Sequence, residues 1–166
     1  SYTIKDGEIK LNDPTSEPTG YTFDGWYNGE DKVTTIPAGS HGNLTLTAHW
    51  KANTYTVAFD KNGGTVTTSE KDVTYDSAYG ELPVPTRKGY TFVGWYLNDD
   101  PVNADTLVAT ADAHTLTAKW EAIEYTVTFY KNDGSDGAYP AVSGVKYDQA
   151  IADVPTPLRT GYAFVG

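Results

Sequence analysis

The chain has 166 residues, no cysteine, no methionine and a formal net charge of −10 at pH 7. Without cysteine it cannot form disulfides, thiol nucleophiles or thiolate metal sites. A surface this acidic repels nucleic-acid phosphates and anionic membrane surfaces, so we expect no nucleic-acid partner.

The first predicted element lies at the start of the sequence. Ser1-Tyr2-Thr3-Ile4 already has the composition of a strand and not of a signal peptide. We therefore expect the sequence to begin inside a longer gene product. No apolar stretch approaches the roughly 20 residues that cross a bilayer, so we expect no membrane insertion here.

Internal repetition with a period of about 70 residues is the strongest signal in the sequence. The matched segments are Gly20–Tyr27 with Gly89–Tyr96 and Gly161–Gly166, Leu44–Trp50 with His114–Trp120, and Tyr55–Asn62 with Tyr125–Asn132. These anchors indicate small domains near the lower size limit for a single core. We divide the chain into an N-terminally incomplete repeat 1 (1–52), a complete repeat 2 (53–121) and a C-terminally incomplete repeat 3 (122–166).

The elements of repeat 2 follow from alternation of apolar and polar residues. Strands are predicted at 55–59, roughly 65–75, 90–96 and 115–120, with a tight turn at Asn62-Gly63-Gly64 and one short helical turn at 77–82. The fold class is therefore β-rich α+β, with a mixed sheet of about four strands and at most one short helix in each repeat. About four residues join Trp120 to Tyr125, too few for a flexible linker, which predicts a stiff array.

The same alternation predicts the core. The residues expected to be largely buried are Tyr55, Val57, Phe59, Tyr90, Phe92, Leu116, Ala118 and Trp120. By the same count Trp95 lies on the opposite face from Phe92, which would leave one aromatic face less buried.

Three motifs of the sequence resemble the Listeria–Bacteroides repeat, also called the internalin B-repeat family. They are Tyr55–Gly64, the segment from Pro85-Thr86 through Gly89-Tyr90-Thr91-Phe92 to Gly94-Trp95-Tyr96, and Leu116–Trp120. The resemblance covers essentially the whole chain. It departs where Asp133 replaces the first Gly of Gly63-Gly64 and where Ser135-Asp136-Gly137 lengthens that loop. The family implies tandem β-grasp, ubiquitin-like units, secretion, and display on a bacterial cell surface, cell-wall-associated or released.

The sequence contains no recognised catalytic or metal-binding motif. His41, His49 and His114 lack HExxH-type spacing, and no GxSxG elbow or P-loop is present. Asp133–Gly137 has too few carboxylates for an EF-hand, and we interpret it as an extended hairpin turn. We therefore expect no cofactor, no metal site and no enzyme activity.

The recurring aromatic residues are the candidate ligand or packing positions. Trp26, Tyr27, Trp95 and Tyr96 could stack on sugars or contact a host protein, but their fixed repeat positions also fit core or inter-repeat packing. Three functions remain open from the sequence. They are a rigid spacer or stalk with a role in adhesion, a module that binds host protein or glycan, and an accessory domain of a secreted enzyme.

The incomplete outer repeats suggest a partner as well. Repeat 1 lacks the strand that Tyr125–Phe129 supplies in repeat 3, so head-to-tail self-association would complete a repeat between two molecules. The alternatives are frayed partial repeats, or a folding unit framed from Gly20 to Lys88.

Overall fold

A computed structural model describes the backbone of residues 2–3 and both backbone and side chains of residues 7–166. Within these residues the regular structure is all β-strand, so the β-rich expectation is confirmed. The strands are β1 Tyr2–Thr3, β2 Ile9–Lys10, β3 Tyr21–Asn28, β4 Asp31–Val33, β5 Thr35–Ile36, β6 His41–Gly42, β7 Thr47–Ala52, β8 Thr54–Asp60, β9 Glu70–Thr74, β10 Tyr90–Leu97, β11 Asp100–Val102, β12 His114–Ala122, β13 Glu124–Val127 and β14 Val142–Lys146. No helix in the described part of the chain is long and apolar enough to cross a membrane.

The strands of repeat 2 form a five-stranded sheet in the order β11-β10-β12-β8-β9. This is one strand more than predicted, because the chain turns back after β10 and adds the short strand β11. Repeat 1 contributes a three-stranded sheet in the order β4-β3-β7, and repeat 3 a two-stranded sheet of β13 and β14. Two further pairs, β1 with β6 and β2 with β5, are each antiparallel.

The chain folds into two compact units. Unit 1 comprises Ser1–Asp60, Thr68–Leu82 and Val102–Leu116, and unit 2 comprises Lys61–Thr67, Pro83–Pro101 and Thr117–Gly166. The buried hydrophobic side chains of unit 1 are Val57, Phe59, Val73, Tyr79, Val102, Val108 and Leu116, and those of unit 2 are Trp95 and Ala118. All of them belong to repeat 2.

The predicted core is confirmed at the centre of the sheet, but the residues predicted at its margins are less buried than expected. Val57, Phe59, Leu116 and Ala118 are buried. The larger aromatics predicted with them, Tyr55, Tyr90, Phe92 and Trp120, are only half-buried. Trp95 is buried as well, and residues 73, 79, 102 and 108 are buried in loops and short strands, where no alternation marks them.

The predicted separation of Trp95 from Phe92 is wrong. Phe92 pairs with Trp120 and Gly94 with Lys119, so Val93 is an extra residue that forms a bulge in β10. A bulge shifts every later residue of the strand to the other face. Trp95, which is 2% exposed, therefore packs edge-on against Phe92 at 5.6 Å between ring centroids.

The helical turn predicted at residues 77–82 is also wrong. This segment runs beside residues 104–108, with Tyr79 N–H donating to the Thr106 carbonyl and Val108 N–H to the Ser77 carbonyl, each at 2.9 Å. Lys71 Nζ fixes the same segment from the strand β9 side by donating to the carbonyls of Tyr79 and Glu81. Because its backbone groups are satisfied by these partners, the segment gains nothing from helical hydrogen bonds.

Candidate functional site

The junction between repeats 1 and 2 is built from main-chain hydrogen bonds. Asn53, the first residue of repeat 2, donates its N–H to the Gly20 carbonyl at 2.8 Å. Its own carbonyl accepts the N–H of Tyr75 at 2.9 Å. The Tyr75 ring covers Gly20 and meets the Tyr21 ring edge-on, with centroids 5.5 Å apart. Repeat 1 is thus attached to two separate parts of repeat 2.

The junction between repeats 2 and 3 has the same contacts. Ile123 donates to the Gly89 carbonyl at 2.9 Å and accepts from Tyr147 N–H at 3.0 Å. The Tyr147 ring covers Gly89 and lies edge-on to Tyr90 at 5.8 Å. We call this arrangement of glycine, covering tyrosine and bridging residue the junction clasp. Each copy of the clasp lies wholly inside one compact unit.

Glycine is required in the clasp for two independent reasons. Gly20 and Gly89 have φ of +80° and +78°, a backbone conformation that other residues rarely adopt. Each is the third residue of a turn closed by the N–H of the following tyrosine. A Cβ at either glycine would also overlap the covering tyrosine ring. The flat approach of the ring therefore depends on the absence of a side chain.

The repeated glycines are evident from the sequence, but their tyrosine partners are not. The signal in the sequence is a Tyr-Asp pair that recurs as Tyr75-Asp76 and Tyr147-Asp148. In the structure, the aspartate of both pairs has a positive φ. In the first clasp Asp76 also accepts a hydrogen bond from the Tyr21 hydroxyl at 3.0 Å, which raises the pKa of Tyr21.

The predicted aromatic positions are all engaged within the protein. Trp26 Nε1 donates to the Asn12 carbonyl at 2.9 Å, and Trp95 Nε1 donates to the Pro83 carbonyl at 2.7 Å. The two indoles thus have the same role in successive repeats. Tyr27 stacks on His49 with ring centroids 4.0 Å apart, and Lys119 lies 4.0 Å from the centre of the Tyr96 ring.

Tyr27 also binds a carboxylate on the outer face of repeat 1. Its hydroxyl donates to Asp24 at 2.8 Å, and Lys32 Nζ lies 3.3 Å from the same carboxylate. The tyrosine hydroxyl, with a smaller effect from Lys32, holds the pKa of Asp24 below its usual value. This cluster is solvent-exposed and includes no nucleophile.

The remaining polar candidates have structural partners. His114 Nδ1 donates to the Asp112 carbonyl at 2.9 Å, and its Nε2 lies 2.6 Å from the Tyr79 hydroxyl oxygen, within hydrogen-bond distance. His41 Nδ1 lies 3.2 Å from the Gly39 carbonyl. In the loop of residues 133–137, Asp133 accepts from the Ser135 hydroxyl and N–H, which lowers the pKa of Asp133. Among the described residues no group of three or more histidines or carboxylates could hold a metal ion.

Repeat 3 contains a cavity of about 380 Å³, lined by residues 130–132, 157–159 and 162–166. Several of its aromatic side chains are exposed, with Tyr130 at 75%, Tyr162 at 68% and Phe164 at 65%. Arg159 lies 4.2 Å from the centre of the Tyr162 ring, as Arg87 lies 3.8 Å from that of Tyr90. Repeats 2 and 3 therefore have the same arginine–tyrosine contact.

Comparison with known proteins identifies curated relatives that are much longer than this chain. A "Putative membrane protein" of Evansella cellulosilytica is 35% identical over 94% of this chain and 24% of its own length. A "Putative Gly-rich membrane protein" of the same organism is 35% identical over 90% of this chain and 18% of its own. Internalin H of Listeria monocytogenes is 39% identical over 58% of this chain and 18% of its own. The chain thus spans less than a quarter of each relative's length. No solved structure is a significant match.

The family resemblance seen in the sequence is confirmed by a family model. The model described as the Listeria-Bacteroides repeat domain matches residues 2–49, 55–119 and 125–166. Each of the three matched segments contains one copy of the Gly-Tyr motif, at Gly20, Gly89 and Gly161. The chain belongs to the Listeria-Bacteroides repeat domain family.

Proposed function

We propose that the chain is a non-catalytic spacer, which carries a binding domain of a longer protein away from a bacterial cell surface. The observation that carries the proposal is the junction clasp, which forms at both junctions through equivalent backbone atoms. A junction with two main-chain hydrogen bonds and a covering ring resists bending in a way that a flexible linker of a few residues does not.

The surface location rests on the relatives. Two carry the words "membrane protein" in their names and the third is Internalin H. Because the matched segment is less than a quarter of each relative, those proteins have room outside it for a binding domain and an anchor. We propose extracellular display, with adhesion residing in the domain that the repeats support.

A β-grasp framework for the complete repeat is part of the proposal. The last strand, β12, lies between the pairs β8-β9 and β10-β11 in the sheet. We propose that the segment of residues 77–82 takes the position that a short helix has in other β-grasp units.

The four aromatic positions are proposed as packing residues. Trp95 is almost completely buried, and Trp26, Tyr27 and Tyr96 each contact a neighbouring side chain or carbonyl of the same repeat. The contacts of Tyr27 with His49 and of Tyr96 with Lys119 each occupy a ring face on which a sugar could otherwise stack.

The test displays a folded reporter domain on a bacterial surface through this chain, or through a glycine-serine linker of equal length. A large antibody-coated bead should bind the reporter more often when this chain carries it than when the glycine-serine linker does. The matched control is the chain with both Gly20→Ala and Gly89→Ala, which should lose most of that advantage. Equal access for all three would contradict a spacer role. Binding of the isolated chain to a glycan or protein panel would favour a binding module instead.

A further inference from the structure

Two turns of the protein contain an asparagine followed by a glycine. Asn28-Gly29 lies in the turn between β3 and β4, and Asn62-Gly63 lies in the turn that follows β8. An asparagine in this context can lose its amide group without an enzyme, because glycine has no side chain to hinder attack by its own backbone nitrogen on the asparagine carboxamide. Both asparagines are exposed to solvent, so the way the fold holds their reacting groups separates the two pairs.

The fold leaves the reacting groups of the first pair available. Asn28 is the last residue of β3 and forms the final pair of the β3–β4 hairpin with Asp31. Among the described residues, neither the Asn28 carboxamide nor the Gly29 N–H has a hydrogen-bond partner. Apart from the flanking residues, nothing lies within 4 Å of the position that a Cβ would occupy at Gly29. The end pair of a hairpin opens at low cost, so the Gly29 nitrogen can reach the carboxamide.

The second pair is held by two hydrogen bonds. Asn62 Nδ2 donates to the Ala118 carbonyl at 3.0 Å. Arg87 Nη1 donates to the main-chain carbonyl of Asn62 at 3.2 Å. Rotation of the carboxamide towards Gly63 would break the first bond, and movement of the peptide group would break the second. Attack at Asn62 therefore requires a more costly local opening than attack at Asn28.

We propose that Asn28 is a site of spontaneous deamidation. Hydroxide removes the Gly29 amide proton, and the nitrogen forms a bond to Cγ of Asn28 while the Cγ–Nδ2 bond breaks. The leaving nitrogen takes up a proton from water and departs as ammonia, which leaves a cyclic succinimide. Water then opens the ring at either carbonyl. The product is aspartate, with the original main chain, or isoaspartate, in which the main chain runs through the side chain.

Both products alter the hairpin in which they form. Each adds a negative charge to a turn that already contains Glu30 and Asp31. Isoaspartate also lengthens the main chain at the end of β3, which disturbs the pairing of Tyr27 with Lys32. The Lys32 amine, 3.3 Å from the Asp24 carboxylate, is then no longer held in place. The reaction thus loosens the hairpin irreversibly as the molecule ages.

The deamidation proposal does not depend on the spacer role, because it concerns the exposed β3–β4 turn and not the junction clasp. Its test is peptide mapping by mass spectrometry after incubation of the 166-residue chain at mildly alkaline pH. The acid products should accumulate at Asn28 about tenfold faster than at Asn62, since breaking a hydrogen bond during opening reduces the reactive population by roughly that factor.

The matched control is the same measurement on the chain in denaturant. Local opening has no cost in the unfolded chain, so the ratio of the two rates should fall severalfold. An Asn28 that keeps its amide in the folded protein would overturn the inference. The same ratio of rates in the folded and unfolded chains would also overturn it, because the fold would then not select the site.

A variant tests the effect on the hairpin. Asn28→Gln keeps an amide but lengthens its side chain, which makes ring closure by the Gly29 nitrogen much slower. After equal incubation, trypsin should cut after Lys32 severalfold faster in the unaltered chain than in Asn28→Gln, because cleavage follows the population of the opened hairpin. Before incubation the two proteins should be cut at similar rates. Equal cleavage of the two incubated proteins would contradict the loosening of the hairpin.

Discussion

At the scale of single residues, the glycines of the clasp are more constrained than their turns alone require. Gly20, Gly89 and Gly161 all have φ near +80°, but only the first two are covered by a tyrosine ring. Nothing lies within 4 Å of the position that a Cβ would occupy at Gly161. The three positions therefore separate backbone strain from ring contact within one protein.

The first prediction compares alanine at two of these glycines. Gly161→Ala should destabilise its repeat by about 1–2 kcal/mol, the cost of left-handed backbone for an ordinary residue. Gly89→Ala should cost about 1–3 kcal/mol more, because the added methyl displaces the Tyr147 ring. Denaturant unfolding followed by tyrosine fluorescence measures both. Equal losses would show that the ring does not rest on the glycine.

The second prediction concerns Trp95, which the bulge at Val93 turns into the interior. Trp95→Ala should destabilise the protein by about 3–5 kcal/mol, since it removes a buried aromatic ring and leaves a cavity. Tyr96→Ala, at the half-buried neighbouring position, should cost less. Thermal unfolding of the two variants gives the comparison. A larger cost for Tyr96 would mean that the bulge does not set which face is buried.

Sequence patterns predicted residues well where alternation is regular. Val57, Phe59, Leu116 and Ala118 alternate without interruption and are buried. Trp95 was placed on the wrong face, because one extra residue in β10 reverses the alternation and leaves no mark in composition. Tyr79 is buried from a loop, where burial depends on distant partners and not on spacing.

At the scale of elements, the repeats are joined by backbone hydrogen bonds that a sequence does not display. The bridging residue is Asn53 in one clasp and Ile123 in the other, since only its N–H and carbonyl are used. The period and the short connection predicted a close junction. The period and the short connection did not predict which groups form the junction, because a hydrogen bond between main-chain groups does not require a particular side chain.

The third prediction is that the covering ring protects these backbone bonds. Tyr147→Ala should raise the exchange rate of the Ile123 amide hydrogen by about tenfold or more, because water reaches its bond to the Gly89 carbonyl. Tyr125→Ala, which removes a 47% exposed ring from the same repeat, is the control and should leave that rate nearly unchanged. Native-state hydrogen exchange by NMR measures both variants. Similar exchange rates of the Ile123 amide in the two variants would show that the Tyr147 ring does not protect the junction.

At the scale of the whole molecule, the spacer proposal requires that each junction hold its two repeats in one arrangement. The clasps have the same main-chain hydrogen bonds at both junctions, although the bridging residues differ. The repeat period and the family could be predicted from the sequence. The contacts that we propose to stiffen the junctions could not, since they join residues far apart along the chain.

The most direct test of the spacer proposal is the distribution of distances between spin labels placed on either side of each junction. Cysteines at the exposed positions Asp13 and Asp105 report on the first junction, and cysteines at Val84 and Gln149 on the second. Double electron–electron resonance on the frozen, spin-labelled protein should give one narrow distance peak for each pair of labels. Gly20→Ala should broaden the first peak and Gly89→Ala the second. Broad distributions in the unaltered chain would contradict the proposal that the junctions are rigid.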